Sequence, residues 1–141
     1  MRVVLDTDVL VAALRSNKGA SFRVLQELQQ RRFTFALSVP LFLEHEDVLK
    51  RPDMVPLPPS AIDLFLRFLA ARGETQSIFF LWRPILRDAK DEMVLEVAVA
   101  ARCAAIVTFN GRDFAGADKF GLAVLTPQDF LLRLEAERVT E

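Results

Sequence analysis

The stretch VVLDTDVLVAAL, residues 3–14, restricts what this chain can become more than any other. Valines and leucines crowd both sides of Asp6, Thr7 and Asp8, the pattern of a buried strand that runs straight into a helix. A carboxylate at such a joint is costly unless something pairs with it. A strand that is apolar on both faces also belongs inside a sheet covered on both sides.

The same alternation continues along the chain. Residues 2–6 read as the first strand, and residues 9–15 and 21–31 as helix broken near SNKGAS. FTFALS (33–38) is a second strand, with Phe33, Phe35 and Leu37 on one face. Pro40 suits the first position of a helix that runs to about Lys50 and turns Leu41, Leu43, Val48 and Leu49 inward. RPDMVPLPPS (51–60), with four prolines, must be a loop. Ser60 and Asp63 then resemble a cap for an amphipathic helix with Ile62, Phe65, Leu66 and Leu69 inward. SIFFLW (77–82) reads as a short strand or a buried extended segment. Helix returns at about 89–102, followed by the strand AAIVT (104–108) and a short strand over 122–126. Thr126 and Pro127 open the last helix. Strands alternating with helices predict an α/β fold with three layers, α/β/α, around a mostly parallel sheet of four to five strands. Residues 1–141 are expected to form one domain.

Composition narrows the chemistry. A chain 52% hydrophobic and 26% charged is expected to be globular and soluble. No apolar run reaches the roughly 20 residues that span a bilayer, and no basic region followed by an apolar stretch opens the chain. A cytoplasmic protein without a membrane partner is the expectation. The one cysteine, Cys103, lies among alanines and valines as a small buried side chain, and His45 is the one histidine. A disulfide framework, a His-rich zinc site and a Ser-His-Asp triad are therefore disfavoured, which leaves carboxylates to carry any reaction. The net charge of −1 neither favours nor excludes nucleic acid. Arg15, Lys18, Arg83, Arg87, Lys90 and Arg112 flank the acidic segments, either as phosphate-steering groups or as ordinary solvated charges.

Open parallel sheets bind ligands outside the carboxyl ends of their strands. Asp6 falls at one such end, and Thr108, Asn110 and Asp113 follow another. Glu44 sits three residues after Leu41 and four before Val48, on the apolar stripe of its helix. Asp91 extends the inward set Val94, Leu95, Ala98 and Ala101, whereas Glu92 and Glu96 fall off it. Each acid has a plainer reading: Asp6 as a helix cap, Glu44 in an arginine salt bridge, Asp91 as capping-box partner of Asp88, Asp113 capping a turn. Gathered together, they would repel one another unless protonated or bridged by a cation, and an oxygen-rich site of this kind suits Mg²⁺ or Mn²⁺.

VVLDTDVLVAAL, SVPLFLEHEDVLKRP, DAKDEMVLEVAVAARCAAIVTFNGRDF and LAVLTPQDFL, in this order, resemble the PIN-domain family of metal-dependent ribonucleases, in particular the VapC-like toxins of toxin–antitoxin pairs. The resemblance covers nearly the whole chain. It implies that Asp6, Glu44, Asp91 and Asp113 are the catalytic, metal-holding acids, and that Thr7, Thr108 and Asn110 position water or substrate. It also implies Mg²⁺ or Mn²⁺ as cofactor, RNA as substrate, a cognate antitoxin and a homodimer. Asp8 stands where the family usually has asparagine, Asn110 where some members have aspartate, and His45 where tyrosine is common. Two rivals stand beside this reading. The first strand nearly matches the opening motif of haloacid-dehalogenase-like phosphatases, in which the first Asp is the nucleophile; Leu10 breaks that motif and the chemistry leaves Glu44 unexplained. The other is a catalytically weak PIN scaffold that acts as a binding module.

Overall fold

The computed structural model of the chain describes residues 1–77 and 88–140. Five parallel strands form one sheet in the order β3-β2-β1-β4-β5, made of Arg2–Leu5 (β1), Thr34–Leu37 (β2), Glu74–Thr75 (β3), Ala105–Val107 (β4) and Ala123–Leu125 (β5). The helices are Thr7–Arg15 (α1), Ala20–Gln29 (α2), Val39–Leu49 (α3), Pro59–Arg72 (α4), Ala89–Ala100 (α5) and Pro127–Thr140 (α6). α2 packs on α1 and α6, and α5 packs on α3 and the central strands, which gives the expected three-layer α/β/α architecture. No helix among the described residues is long and apolar enough to cross a membrane.

The most apolar segments take the middle of the sheet. Val3, Val4 and Leu5 of β1 and Ala105, Ile106 and Val107 of β4 are all buried, as central strands covered on both faces require. Each such valine, leucine or isoleucine contributes roughly 1.5–3 kcal/mol through burial. From β1 the chain builds outward through β2 to β3, then returns to lay β4 on the other flank of β1. The strand order therefore reverses between β1 and β4, the place where α/β sheets open a crevice.

Local chemistry moved several boundaries. α1 starts at Thr7 because Asp6 itself is its cap. α3 begins at Val39 rather than at Pro40 because Ser38 caps it: the Ser38 hydroxyl accepts from the Leu41 N–H at 3.2 Å while Pro40 sits in the first turn. α4 starts at Pro59 behind Pro58 with no side-chain cap, so Ser60 lies inside the helix instead of capping it. Leu43 is 52% exposed and Phe65 only partly buried, whereas Glu92 is buried, so three side chains lie against the helical pattern. β3 has no apolar pattern to announce it. It pairs with β2 because Gly73 allows a close approach: a Cβ there would meet the Leu69 carbonyl at 3.0 Å and Leu37 at 3.1 Å. The expected element over 77–82 lies, beyond Ser77, outside the described residues. As expected, Asp88 caps α5 by accepting from the Lys90 N–H, and Thr126 caps α6 by accepting from the Asp129 N–H.

Candidate active site

The ladder between β1 and β4 sets Leu5 opposite Val107, which leaves Asp6 beside Thr108 at the carboxyl end of the sheet. Both Asp6 oxygens are oriented there. The Thr7 N–H donates to Oδ1 at 2.8 Å, and the buried Thr108 hydroxyl donates to Oδ2 at 2.7 Å. Asp6 thus caps α1 and is also held by the neighbouring strand, with further lone pairs left on each oxygen.

A cavity of about 670 Å³ opens over Asp6. Glu44 reaches it from α3, Asp91 from the first turn of α5, and Asp113 from a 3₁₀ turn after β4, so these three acids line one cavity with Asp6. A smaller cavity of about 220 Å³ between α2 and α6 also holds acids, but there Glu27 pairs with Arg32 and Glu135 with Arg138. Among the described residues Arg15 and Lys90 bring positive charge to the cavity around Asp6, and Lys90 Nζ lies 3.5 Å from Glu44 Oε1. Glu44 therefore has a cationic partner, but it is a lysine where an arginine was the plainer reading, and that lysine is half exposed and lines the same cavity.

Crowded carboxylates hold their protons more tightly. Burial pushes the Asp6 carboxyl above the usual range, Asp113 and Glu44 add repulsion, and the bonds from Thr108 and Thr7 oppose the rise. Asp91 is pushed up to about 6, first by burial and then by Asp6 and Asp113. Asp8 is also raised to about 6, by burial and then by Asp6. Among the described residues no three His, Cys, Asp or Glu side chains converge tightly enough to enclose an ion as they stand. The donor set nonetheless fits a hard divalent cation: all donors are oxygens, their charges repel, and an ion such as Mg²⁺ keeps several waters and takes few carboxylates.

The remaining expected residues take distinct places. Asn110 lines the cavity, and its side-chain amide donates to Asp8 Oδ2 at 2.8 Å. Thr7 borders the cavity, but its hydroxyl pairs with Nδ1 of the buried His45 at 2.8 Å, tying α1 to α3. Burial lowers the His45 pKa to about 4, so the ring is neutral. Arg15 lines the cavity, its Nε donating to the Met54 carbonyl at 2.7 Å, while Arg83 and Arg87 lie outside the described residues. Asp8, which the sequence offers equally as a helix cap or as an extra acid at the rim, lines the cavity beside the others. Its signal was present: two acids spaced i, i+2 across a strand–helix joint.

A family model described as PIN domain matches residues 2–112. The chain belongs to the PIN-domain family. The match takes in Asp6, Glu44 and Asp91 and stops one residue short of Asp113. No curated protein sequence matches this PIN-domain chain significantly. Among solved structures, it is similar to the crystal structure of VapBC2 from Rickettsia felis bound to a DNA fragment from their promoter. That likeness has a TM-score of 0.57 at 18% identity and covers 89% of this chain and 98% of the other, a likeness of fold.

Proposed function

We propose that this PIN-domain protein is a divalent-metal-dependent endoribonuclease and the toxin of a toxin–antitoxin pair. The observation that carries the reading is the convergence of Asp6, Glu44, Asp91 and Asp113, from four separate elements, on one cavity at the strand-order reversal. Those acids would hold Mg²⁺ or Mn²⁺, which when bound supplies charge stabilisation at the phosphodiester and an activated water. Thr108 and the Thr7 N–H keep Asp6 oriented, and Asn110 stands at the rim where substrate or water would enter. Lys90, facing the cavity beside Glu44, offers a positive charge to RNA phosphate. In-line attack by water would form a new P–O bond and break the bond to the 3′ oxygen, leaving 5′-phosphate and 3′-hydroxyl ends.

The likeness to VapBC2, a pair seen on its promoter DNA, supports a cognate antitoxin for this chain. A cytoplasmic homodimer completes the proposal. The phosphatase alternative would need Asp8 as a mobile acid/base, whereas its Oδ2 already accepts from Phe109 and Asn110. Incubation of RNA with the protein and Mg²⁺ or Mn²⁺ tests the reading. Asp6→Asn should lose at least about a hundredfold in rate, the scale of deleting one preorganised electrostatic group. Equal cleavage by wild type and variant would defeat it.

A further inference from the structure

We propose that Asp8 is a positioning residue, which clamps the turn after β4 and through Thr108 fixes the Asp6 carboxylate; the inference rests on the metal-dependent nuclease reading. Three consecutive residues of that turn are tied to the start of α1. Asp8 Oδ2 accepts from the Phe109 N–H at 3.1 Å and from Asn110 Nδ2 at 2.8 Å, and lies 3.4 Å from Thr108 Oγ1. Thr108 has a single hydroxyl proton, and the shorter 2.7 Å contact commits it to Asp6. The Thr108 oxygen in turn accepts from the Asn110 N–H at 3.0 Å. Burial and the bond from the Thr108 N–H to the Leu125 carbonyl at 2.9 Å fix the Thr108 backbone, but packing does little to hold the next two residues, because Phe109 is 50% exposed and Asn110 is exposed. The Asp8 bonds hold the Asn110 N–H against the Thr108 oxygen, which leaves the Thr108 hydroxyl proton to point at Asp6.

The clamp requires an acceptor at this position. Oδ2 faces two donors, while Oδ1 is buried, and the Val9 N–H also favours the ionised carboxyl. An asparagine could keep its carbonyl oxygen on the same two donors, so the clamp depends on the accepting oxygen and not on the charge. Asp8 and Asn110, two of the three departures from the family pattern, thus complement each other as acceptor and donor.

The test uses the whole chain and Mn²⁺ alone, with affinity read by electron paramagnetic resonance. Asp8→Ala and Thr108→Val should each weaken binding by about tenfold, the usual effect of removing a group that orients a metal ligand. The double variant should be no worse than either single one, because both changes break the same chain of contacts. Losses that multiply would make Asp8 a ligand in its own right and overturn the positioning role. Asp8→Asn, which keeps the accepting oxygen, should bind Mn²⁺ much as wild type does, and a loss as large as that of Asp8→Ala would make the charge itself the ligand and overturn the positioning role. Hydrogen exchange in the metal-free protein separates this inference from the nuclease reading. Asp8→Ala should speed exchange of the Phe109 amide about tenfold while Ile106 in β4 stays protected, whereas an unchanged Phe109 rate would refute the clamp. Wild-type protein that binds no Mn²⁺ would sink the nuclease reading, and the exchange result would still decide the clamp.

Discussion

Replacing Asp91 with asparagine should stabilise the metal-free protein and remove the proposed activity. Asp91 rises from 3.8 to about 6, pushed by burial and then by Asp6 and Asp113. At 1.36 kcal/mol per pH unit, that rise corresponds to roughly 3 kcal/mol of destabilisation at neutral pH if unscreened. The side chain is partly exposed, so solvent screening reduces the figure to roughly 1–1.5 kcal/mol. Asp91 also lies in the first turn of α5, where a negative charge gains roughly 0.3–1 kcal/mol from the helix N-terminus, and the amide forfeits that. The net gain is about 0–1.2 kcal/mol, or a Tm increase of up to roughly 5 °C. The sign follows from the raised value: the stabilising protonated form dominates below 3.8 and is lost as pH climbs through 6. Calorimetry in a chelator should show the variant melting above wild type at pH 7.5, with the difference gone or reversed near pH 4. Saturating Mg²⁺ at about 100 times its Kd should then raise wild type by roughly 2.7 kcal/mol and the variant by clearly less. A variant less stable than wild type at pH 7.5 would refute the claim that the acids strain one another.

His45→Phe leaves the buried Thr7 hydroxyl without its partner and should cost about 1–3 kcal/mol in denaturant unfolding. Because the His45 pKa is lowered to about 4, its contribution is present above 6.5 and lost as pH falls toward 4; His45→Phe should flatten that part of the stability profile. Burial pushes the Cys103 thiol up to about 11, so a thiol reagent at pH 8 should react slowly with native protein and quickly once it is unfolded. Gly73→Ala forces a Cβ to within 3.0 Å of the Leu69 carbonyl and should destabilise the fold by about 1–3 kcal/mol, read from the urea midpoint.

Much of this was legible in the sequence, wherever burial wrote a pattern. β1, β2 and β4 carry continuous or alternating apolar residues, and α5 carries an inward stripe that places Asp91 at its head. Asp6 and Thr108 could be assigned to one rim because both follow central strands. What pattern did not reveal depends on pairs formed across the fold. The two-residue β3 exists through the close approach at Gly73, and Leu43 stays exposed despite its helical phase. His45 is buried because Thr7, distant in sequence, supplies a partner. Asp8 acquires its role from a turn about a hundred residues further along the chain, a relation no local spacing encodes.

Anomalous diffraction from crystals soaked in Mn²⁺ tests the central claim most directly. A peak is expected within the cavity, bonded to Asp6 with Asp91 or Asp113 and absent from Asp6→Asn crystals. A soaked crystal with no manganese near Asp6, its acids held apart as separate solvated or lysine-paired groups, would contradict it.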